Sequence, residues 1–220
     1  MSTPVVLVPG LGLGIESYAP TVEHLSLPYN VVTLPGYGEP AGEREDLHPE
    51  ALAAILERKI RERSVLVGHS AGAQIAVELA VAHPELVHAL VLIAPSGDTK
   101  ASSWLDLGMR WLESAAPESP KLIPVLAPQY ARTGMPTIAR AAAACRKHDL
   151  AAVITRVKAP VVIIRSQHDH LSSADFARRL AELTHGEART LSTGSHMPVL
   201  TNGPEVAALI HRAAAARPTG

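Results

Sequence analysis

The sequence predicts an α/β fold: a mostly parallel sheet of about six strands with helices on both faces. Short apolar runs, such as residues 5–8 and 161–164, alternate along the chain with longer amphipathic stretches. This alternation is typical of parallel strands that are buried on both faces. At one transition, segment 68–72 (Gly-His-Ser-Ala-Gly) joins an apolar run to a stretch of helical periodicity. It therefore predicts a sharp strand-to-helix turn that projects a serine side chain.

The elements are predicted in chain order from length and periodicity. Six short segments, most of them rich in apolar residues, are the candidate strands, at residues 5–8, 29–33, 64–67, 89–93, 161–164 and 188–191. Five amphipathic stretches predict helices, at residues 17–24, 49–62, 71–82, 173–183 and 205–215. Pro84 and Pro160 lie at junctions, where a residue that breaks helices is expected. The first strand begins almost at Met1, so we expect a reduced sheet.

The strand alternation stops between Ala94 and Lys158. We expect residues 97–127 to form short helices and turns, and residues 138–150 to form a longer helix. Both tryptophans of the chain, Trp104 and Trp111, lie in this interval. They favour two interpretations equally, an apolar cover over a binding pocket or side chains that pin the interval to the body.

Composition predicts a single globular domain spanning residues 1–220. The chain has a mass of 23.2 kDa, with 47% apolar and 19% charged residues, which excludes a disordered protein. The formal net charge is −1 and no basic cluster is present. We therefore expect no nucleic-acid or membrane partner, but a small-molecule substrate. The sequence carries no signal for an oligomeric state.

Two further features bear on the cellular compartment. Cys145 is the only cysteine, so no intrachain disulfide can form, and its alanine-rich surroundings favour a buried structural thiol. The N-terminus has no basic region followed by an apolar segment, and no run approaches the roughly 20 apolar residues that cross a bilayer. A cytoplasmic protein is the expectation.

Segment 68–72 has the pattern that an activated serine needs. A serine hydroxyl is a weak nucleophile, so it must project from a tight turn where a base can reach it. Gly68 and Gly72 permit that turn, because side chains there would collide with the neighbouring strand or helix. The alternative is a simple Gly-Ser turn between two core elements. The flanking strand and helix favour Ser70 as a nucleophile.

Four landmarks in chain order show that the sequence resembles the α/β-hydrolase family. Residues 5–12 (Val-Val-Leu-Val-Pro-Gly-Leu-Gly) are similar to the first strand and oxyanion loop of that family, although Pro9 replaces the usual histidine. Residues 34–38 (Leu-Pro-Gly-Tyr-Gly) resemble its glycine-rich loop, and segment 68–72 resembles its nucleophile elbow. The fourth landmark is an aspartate followed by a histidine near the C-terminus.

The resemblance implies a catalytic triad in the order nucleophile, acid, base. The strand-like run 161–164 is followed by Asp169, which matches the position of the acid. The run Gly-Ser-His-Met-Pro at residues 194–198 resembles the loop that carries the base, and makes His196 that base. Asp98, which follows the run ending at residue 93, is an alternative acid, although its loop also fits a turn with a solvated carboxylate.

The other histidines have more ordinary interpretations. His168 and His170 flank Asp169 and could suggest a metal pair, but no further ligand cluster accompanies them, and surface imidazoles that tune the acid are favoured. His69 is expected to pack beneath the elbow, while His24, His83 and His88 fit solvent or helix-end positions. No metal or organic cofactor is expected.

The resemblance also implies an oxyanion hole and a cap. The backbone N–H groups of Leu11 and Ala71 match its two donors. Gly12 and Gly14 would either loosen this loop or leave space for a bulky substrate near the backbone. Residues 97–150 fall where family members insert a cap or lid within the one domain. The residues expected to line the substrate pocket are Trp104, Met109, Trp111 and Met197.

The function implied is acyl transfer by a serine hydrolase. Its expected substrate is a carboxylic ester, lactone or thioester of small to medium size and largely apolar character. A C–C bond hydrolase or a cofactor-free perhydrolase would use the same triad, because one fold hosts many reactions. A weakly catalytic, ligand-binding member of the fold is an alternative from a different class.

Overall fold

Six parallel strands form the central sheet of the computed structural model, which describes residues 2–98 and 103–216. These described ranges contain eight strands: β1 (Val5–Val8), β2 (Tyr29–Val31), β3 (Leu34–Pro35), β4 (Gly38–Glu39), β5 (Ser64–His69), β6 (Val87–Ile93), β7 (Val161–Ser166) and β8 (Glu187–Leu191). The central sheet has the order β2-β1-β5-β6-β7-β8, and β3 and β4 form a separate small pair. The predicted six-stranded sheet is confirmed.

The helices surround this sheet. They are α1 (Ala19–Val22), α2 (Pro49–Glu57), α3 (Gly72–Ala82), α4 (Trp104–Ala115), α5 (Ile123–Thr133), α6 (Met135–Cys145), α7 (Leu150–Ile154), α8 (Ala174–Thr184), α9 (Pro198–Thr201) and α10 (Gly203–Ala215). The helix predicted over 17–24 is instead a 3₁₀ turn, Ile15–Tyr18, followed by the single turn of α1. Helix α2 ends five residues before the predicted boundary at residue 62.

Alternate residues of the central strands pack into two separate apolar cores, as expected when helices cover both faces of a sheet. Val6 and Leu66 contribute to the core that contains side chains of α2, α3 and α8. Val5 and Val65 contribute to the opposite core, with side chains of α10. Every residue of β5 is buried. This central strand therefore presents the segment that follows it at a fixed place on the edge of the sheet.

The chain between β6 and β7 leaves the sheet as a helical insert, which we define as residues 103–158. It contains α4 to α7. The helices and turns expected over 97–127 are present in the described part, although α4 is one continuous helix of 12 residues, and residues 99–102 lie outside the described residues. The helix predicted over 138–150 ends at Cys145. A new helix then begins because the Asp149 carboxylate accepts the Ala152 N–H at 3.0 Å and caps α7.

Two features complete the fold. Cys145 is buried with its Sγ 2.9 Å from the Tyr37 hydroxyl, and burial raises the pKa of the thiol to about 11. Because the thiol stays protonated at neutral pH, Cys145 contributes to packing between the insert and the body.

Throughout the described ranges, no helix has the length and apolar character needed to cross a membrane.

Candidate active site

Ser70 lies at a strained turn between β5 and α3. Its φ angle is +52°, in the left-handed region that costs a side-chain-bearing residue about 1–2 kcal/mol. Its N–H donates to the Ile93 carbonyl at 2.9 Å, and its carbonyl accepts the Ser96 N–H at 3.2 Å. The neighbouring strand end thus holds the strained backbone in place, and the partly exposed hydroxyl projects beyond the sheet.

Glycine is required on both sides of this turn because backbone atoms lie too close for a side chain. A Cβ on Gly68 would lie 2.6 Å from the Ala73 Cα, and one on Gly72 would lie 2.2 Å from the Pro9 carbonyl oxygen. These distances are well below van der Waals contact. The turn can be this tight only with glycine at both positions.

We expect Gly72→Ala to destabilise the folded protein by about 1–3 kcal/mol, because the methyl group forces β1 and α3 apart. Urea unfolding monitored by circular dichroism would measure the change. The matched control is Gly108→Ala in α4, where a Cβ meets no atom within 4 Å. That substitution is expected to be neutral or to stabilise slightly, since alanine favours helices. Equal stabilities of the two variants would contradict the prediction.

Three side chains from distant parts of the chain meet at this end of the sheet. The Oγ of Ser70 lies 2.8 Å from Nε2 of His196. The other ring nitrogen of His196, Nδ1, lies 3.0 and 3.1 Å from the two carboxylate oxygens of Asp169. Asp169 follows β7 and His196 follows β8. The structure therefore brings the three predicted residues into one hydrogen-bonded line.

The loop after β7 holds the Asp169 carboxylate rigidly. Its Oδ1 accepts the N–H groups of Leu171 and Ser172 at 2.9 and 3.0 Å. The buried guanidinium of Arg165 donates to the carbonyls of Ser172 and Asp169 at 2.8 and 2.7 Å. Sequence reasoning missed Arg165. The available signal was a lone charged residue at the end of an otherwise apolar strand.

Charge and burial shift the pKa values of His196 and Asp169 in opposite directions. Burial alone would lower the pKa of His196, but the Asp169 carboxylate, its hydrogen bond and the Glu118 carboxylate raise it above the ordinary 6.5. Burial would raise the pKa of Asp169, yet the His196 ring and the loop N–H groups bring it below its ordinary value. The arrangement therefore favours a charged carboxylate and stabilises a charged imidazole.

His69 lies fully buried beneath the turn that carries Ser70 and contacts the backbone of His196. Its Nε2 lies 3.0 Å from the His196 carbonyl oxygen, and the two imidazole rings are 5.7 Å apart. Burial and the nearby His196 lower the pKa of His69 to about 4. Because the ring is then neutral at pH 7, its Nε2–H donates to that carbonyl and fixes the backbone of His196.

The alternative acid and the flanking histidines lie elsewhere. Asp98 is buried and its Oδ2 accepts the Ser173 N–H at 3.2 Å, at the start of α8. His168 and His170 have exposed side chains, and Nδ1 of His170 lies 3.8 Å from Glu113. The carboxylate that meets the imidazole of His196 is therefore that of Asp169, which is the acid favoured by the sequence.

A group with the composition of a metal site lies away from Ser70. Within residues 2–98 and 103–216, the potential ligand atoms of Glu50, Glu78 and His148 lie within 4.8 Å of one another. The Nε2 of His148 is 2.7 Å from Glu78 Oε1. This hydrogen bond accounts for the pair without an ion, and it joins the insert to α3.

Two backbone N–H groups beside Ser70 are available to a ligand. In the part of the chain that the structure describes, the N–H groups of Leu11 and Ala71 donate no hydrogen bond. A Cβ on Gly10 would lie 3.3 Å from the Ser70 Cβ, so the loop before Leu11 passes directly beside the serine. Both predicted donors therefore belong to backbone segments that adjoin the nucleophile candidate.

The glycines after Leu11 accommodate the insert instead of a substrate. A Cβ on Gly12 would lie 2.5 Å from the Tyr130 ring, and one on Gly14 would lie 2.5 Å from the Arg132 guanidinium. Both of these side chains belong to α5. The expectation that this space would admit a bulky substrate is therefore wrong, because the insert already occupies it.

Buried polar side chains of α5 also bind this glycine loop. The Oε1 of Gln129 accepts the Gly14 N–H at 2.7 Å, and the Thr133 hydroxyl donates to the Gly12 carbonyl at 3.0 Å. Gln129 and Thr133 are both buried. Sequence reasoning missed them, since nothing local distinguishes them from surface residues. They hold the loop on which the Leu11 N–H depends.

The predicted pocket residues differ in their surroundings. Trp104, Met109 and Trp111 lie on α4 with 53–54% of each residue exposed, so burial against the body does not pin the tryptophans. Trp104 packs under the Arg146 guanidinium, 4.7 Å from the ring centroid, within the insert itself. Met197 is buried directly after His196. The α4 residues thus present apolar surface to the outside.

A cavity of about 610 Å³ lies at the opposite ends of the strands, beside Pro4, Pro28 and Ser64. Its lining includes charged residues of the turn after α2 and contains none of the three side chains that meet at Ser70. Ligand-binding sites of open parallel sheets lie at the carboxyl ends of the strands, where Ser70 is found. The position and side chains of the Ser70 end therefore favour it over this cavity as the functional site.

A sequence model of the Alpha/beta hydrolase family matches residues 5–209, which is nearly the whole chain. This chain belongs to that family. Its members keep a nucleophile at the turn after a central strand. In this α/β hydrolase, Ser70 lies at the turn between the central strand β5 and α3.

Curated relatives match shorter stretches. The biotin biosynthesis bifunctional protein BioHC of Cellvibrio japonicus is 41% identical over 106 residues, which are 46% of this chain and 21% of that protein. The pimeloyl-[acyl-carrier protein] methyl ester esterase of Edwardsiella ictaluri is 34% identical over 97 residues, covering 42% of this chain and 36% of the enzyme. This α/β hydrolase therefore matches well under half the length of either relative.

Solved structures match the whole fold at low identity. A hydrolase from Oleispira antarctica superposes with a TM-score of 0.81 and 18% identity, covering 98% of this chain and 92% of that one. An alpha/beta hydrolase enzyme from a Medee basin deep-sea metagenome library gives a TM-score of 0.79 at 20% identity, covering 98% and 90%. These similarities establish the architecture of this α/β hydrolase.

Proposed function

We propose that this protein is a serine esterase that hydrolyses carboxylic esters with Ser70 as nucleophile, His196 as base and Asp169 as acid. One observation carries the proposal: Ser70 Oγ lies 2.8 Å from His196 Nε2, and the buried Asp169 binds the opposite ring nitrogen. A base within hydrogen-bond reach of a serine, itself oriented by a third group, is the geometry of nucleophilic catalysis.

In the first half of the reaction, Ser70 Oγ attacks the ester carbonyl carbon while His196 Nε2 takes the serine proton. Asp169 remains ionised and stabilises the imidazolium that forms. The tetrahedral intermediate then collapses, and the C–O bond to the alcohol breaks. The leaving alkoxide takes the proton from His196, so an acyl-serine and a free alcohol result.

In the second half, a water molecule attacks the acyl-serine while His196 again takes a proton. The second tetrahedral intermediate collapses with Ser70 as leaving group, and His196 returns the proton to Oγ. The carboxylic acid leaves and the enzyme regains its starting state. No oxidant, reductant or metal takes part in this sequence.

The N–H groups of Leu11 and Ala71 would stabilise the negative charge that develops on the carbonyl oxygen. Donors that already point at the developing charge cost no reorganisation during the reaction, and one such donor contributes about 3–4 kcal/mol. The absence of an acceptor for either N–H in the described ranges supports this role. The contacts from α5 hold the Leu11 segment in position.

We further propose that residues 97–150 form a lid within the single domain and that the substrate is largely apolar. Exposed apolar side chains cluster on α4, including Trp104, Leu105 and Leu112, and exposed patches of this kind often mark binding sites. The two curated relatives include an enzyme named for the methyl ester of a pimeloyl group on acyl-carrier protein. A methyl ester is therefore one of the bonds to test.

A substrate panel tests the proposal. Purified protein would be assayed with p-nitrophenyl esters of graded chain length, methyl esters of dicarboxylic acids, a lactone and an acyl thioester. We expect hydrolysis of at least one ester, and labelling of Ser70 by a fluorophosphonate probe. A folded protein that neither hydrolyses an ester nor reacts with the probe would favour the ligand-binding alternative.

The rate of ester hydrolysis should depend on the protonation of His196. Only the neutral imidazole can take the Ser70 proton, and the charge of Asp169 raises the pKa of His196 above 6.5 despite its burial. We therefore expect kcat/KM for an uncharged ester to rise with pH through an apparent pKa above 6.5. A profile measured from about pH 5 to about pH 9 checks this. An acid limb below 6.5 would contradict it.

A further inference from the structure

The helical insert contacts the loop that carries Asp169. Arg110 Nη1 donates to the His170 carbonyl at 3.0 Å, and the Ser114 Oγ accepts the His170 N–H at 2.9 Å. His170 follows Asp169 directly. Two side chains one helical turn apart on α4 therefore bind the backbone next to the acid, and Ser114 is buried in this contact.

The same part of the insert contacts the residues before and after His196 in the chain. The Ser195 hydroxyl lies 2.6 Å from the Ser114 carbonyl oxygen. On the other side, Glu118 Oε1 accepts the Met197 N–H at 3.2 Å. Glu118 lies in the turn that follows α4. The residues before and after the base are thus both bound by the insert.

We propose that Glu118 is a positioning residue of the active site: its carboxylate holds the backbone beside His196 and stabilises the charged form of that imidazole from the insert. The inference rests on the proposed function, in which His196 gains a proton each time a tetrahedral intermediate forms. Glu118 would act through His196 and would not touch the substrate.

The position of Glu118 suits this role. It is partly buried, and burial raises its pKa above 4.5, although the Met197 N–H and the nearby His196 act in the opposite direction. Its negative charge acts on His196 in the same sense as that of Asp169. A carboxylate held within a partly buried site is less screened than one in solvent, so its influence on the imidazole is larger.

Each other charged or titratable group facing His196 has an assigned effect. Asp169 raises the pKa of His196 through charge and a hydrogen bond. His69, from β5, has a pKa near 4 and is neutral at pH 7. The Arg165 guanidinium donates to the Asp169 carbonyl at 2.7 Å and interacts electrostatically with the Asp169 side chain. Removing the Glu118 carboxylate should therefore be detectable as a shift in the pKa of His196.

Two variants separate the effects of charge and hydrogen bonding. Glu118→Gln keeps an acceptor for the Met197 N–H but removes the charge, while Glu118→Ala removes both. We expect the acid limb of kcat/KM to move to lower pH in both variants, because loss of a negative charge destabilises the imidazolium. In Glu118→Ala, we also expect kcat to fall about tenfold with KM changed less than about twofold, since displacement of a catalytic group affects turnover.

The matched control is Glu113→Gln, a carboxylate on the same insert that faces His170 at 3.8 Å and is exposed. It is expected to leave the pH profile unchanged. NMR titration of the His196 ring provides a readout that needs no turnover, so it tests Glu118 even if the proposed esterase function fails. An unchanged His196 titration in Glu118→Gln would overturn the inference. If Glu118→Ala does not fold, Glu118→Gln decides.

Discussion

Ser70→Ala is expected to lower kcat for ester hydrolysis by at least about 10⁴-fold, because no other group can form the acyl intermediate. We expect the rest of the site to stay intact in this variant, since Ser70 is held through its own backbone by backbone atoms of Ile93 and Ser96. Steady-state kinetics with the best ester of the panel would measure the loss.

The variant must be shown to be folded before the loss is interpreted. Because alanine has about the same cost as serine in the left-handed region, we expect the melting temperature of Ser70→Ala to remain near that of the wild type. Fluorophosphonate labelling should disappear together with the activity. A folded Ser70→Ala variant that keeps most of its esterase activity would refute the proposed nucleophile.

Asp169→Asn is expected to reduce kcat by about 10³- to 10⁴-fold while the substrate still binds. The amide removes the charge that stabilises the imidazolium, and its NH₂ group can donate to His196 Nδ1 and so favour the wrong tautomer. The pKa of His196 should fall, because the Asp169 carboxylate raises it against the effect of burial. Comparison of kcat, KM and the pH profile with the wild type would measure these effects.

Asp98→Asn is the matched control for the acid. Asp98 is also buried and its carboxylate also accepts a backbone N–H. The donor is Ser173, at the start of α8. We expect this variant to keep most of the wild-type kcat, although it can lose stability. If Asp98→Asn abolished turnover and Asp169→Asn did not, Asp98 would be the acid.

Local patterns in the sequence were sufficient to predict the central six-stranded sheet and the turn that carries Ser70. Strand β1 is a buried run of valine and leucine, and β5 has Val-Leu-Val at its centre. The period and length of these apolar runs differ from those of the helices that follow. The elbow depends on residues only two positions apart, Gly68 and Gly72 around Ser70. The family resemblance then pointed to Asp169 and His196, which the structure places beside that serine.

The insert was predicted less well, although some signals were present. The Ser103 hydroxyl accepts the Asp106 N–H at 3.0 Å and marks the start of α4, and Gly134, with φ of +84°, ends α5. Weighing these capping residues would have lengthened the predicted helices. Contacts such as Glu118 with Met197 join residues that are far apart in sequence, so no local pattern reveals them.

The attachment of the insert at two places limits how the enzyme can be altered. Ser114 and Glu118 bind the loops that carry Asp169 and His196, while Gln129 and Thr133 bind the glycine loop. A grafted segment from another hydrolase would have to reproduce both sets of contacts. Specificity engineering in this scaffold is therefore better directed at the outward side chains of α4 than at exchange of the insert as a module.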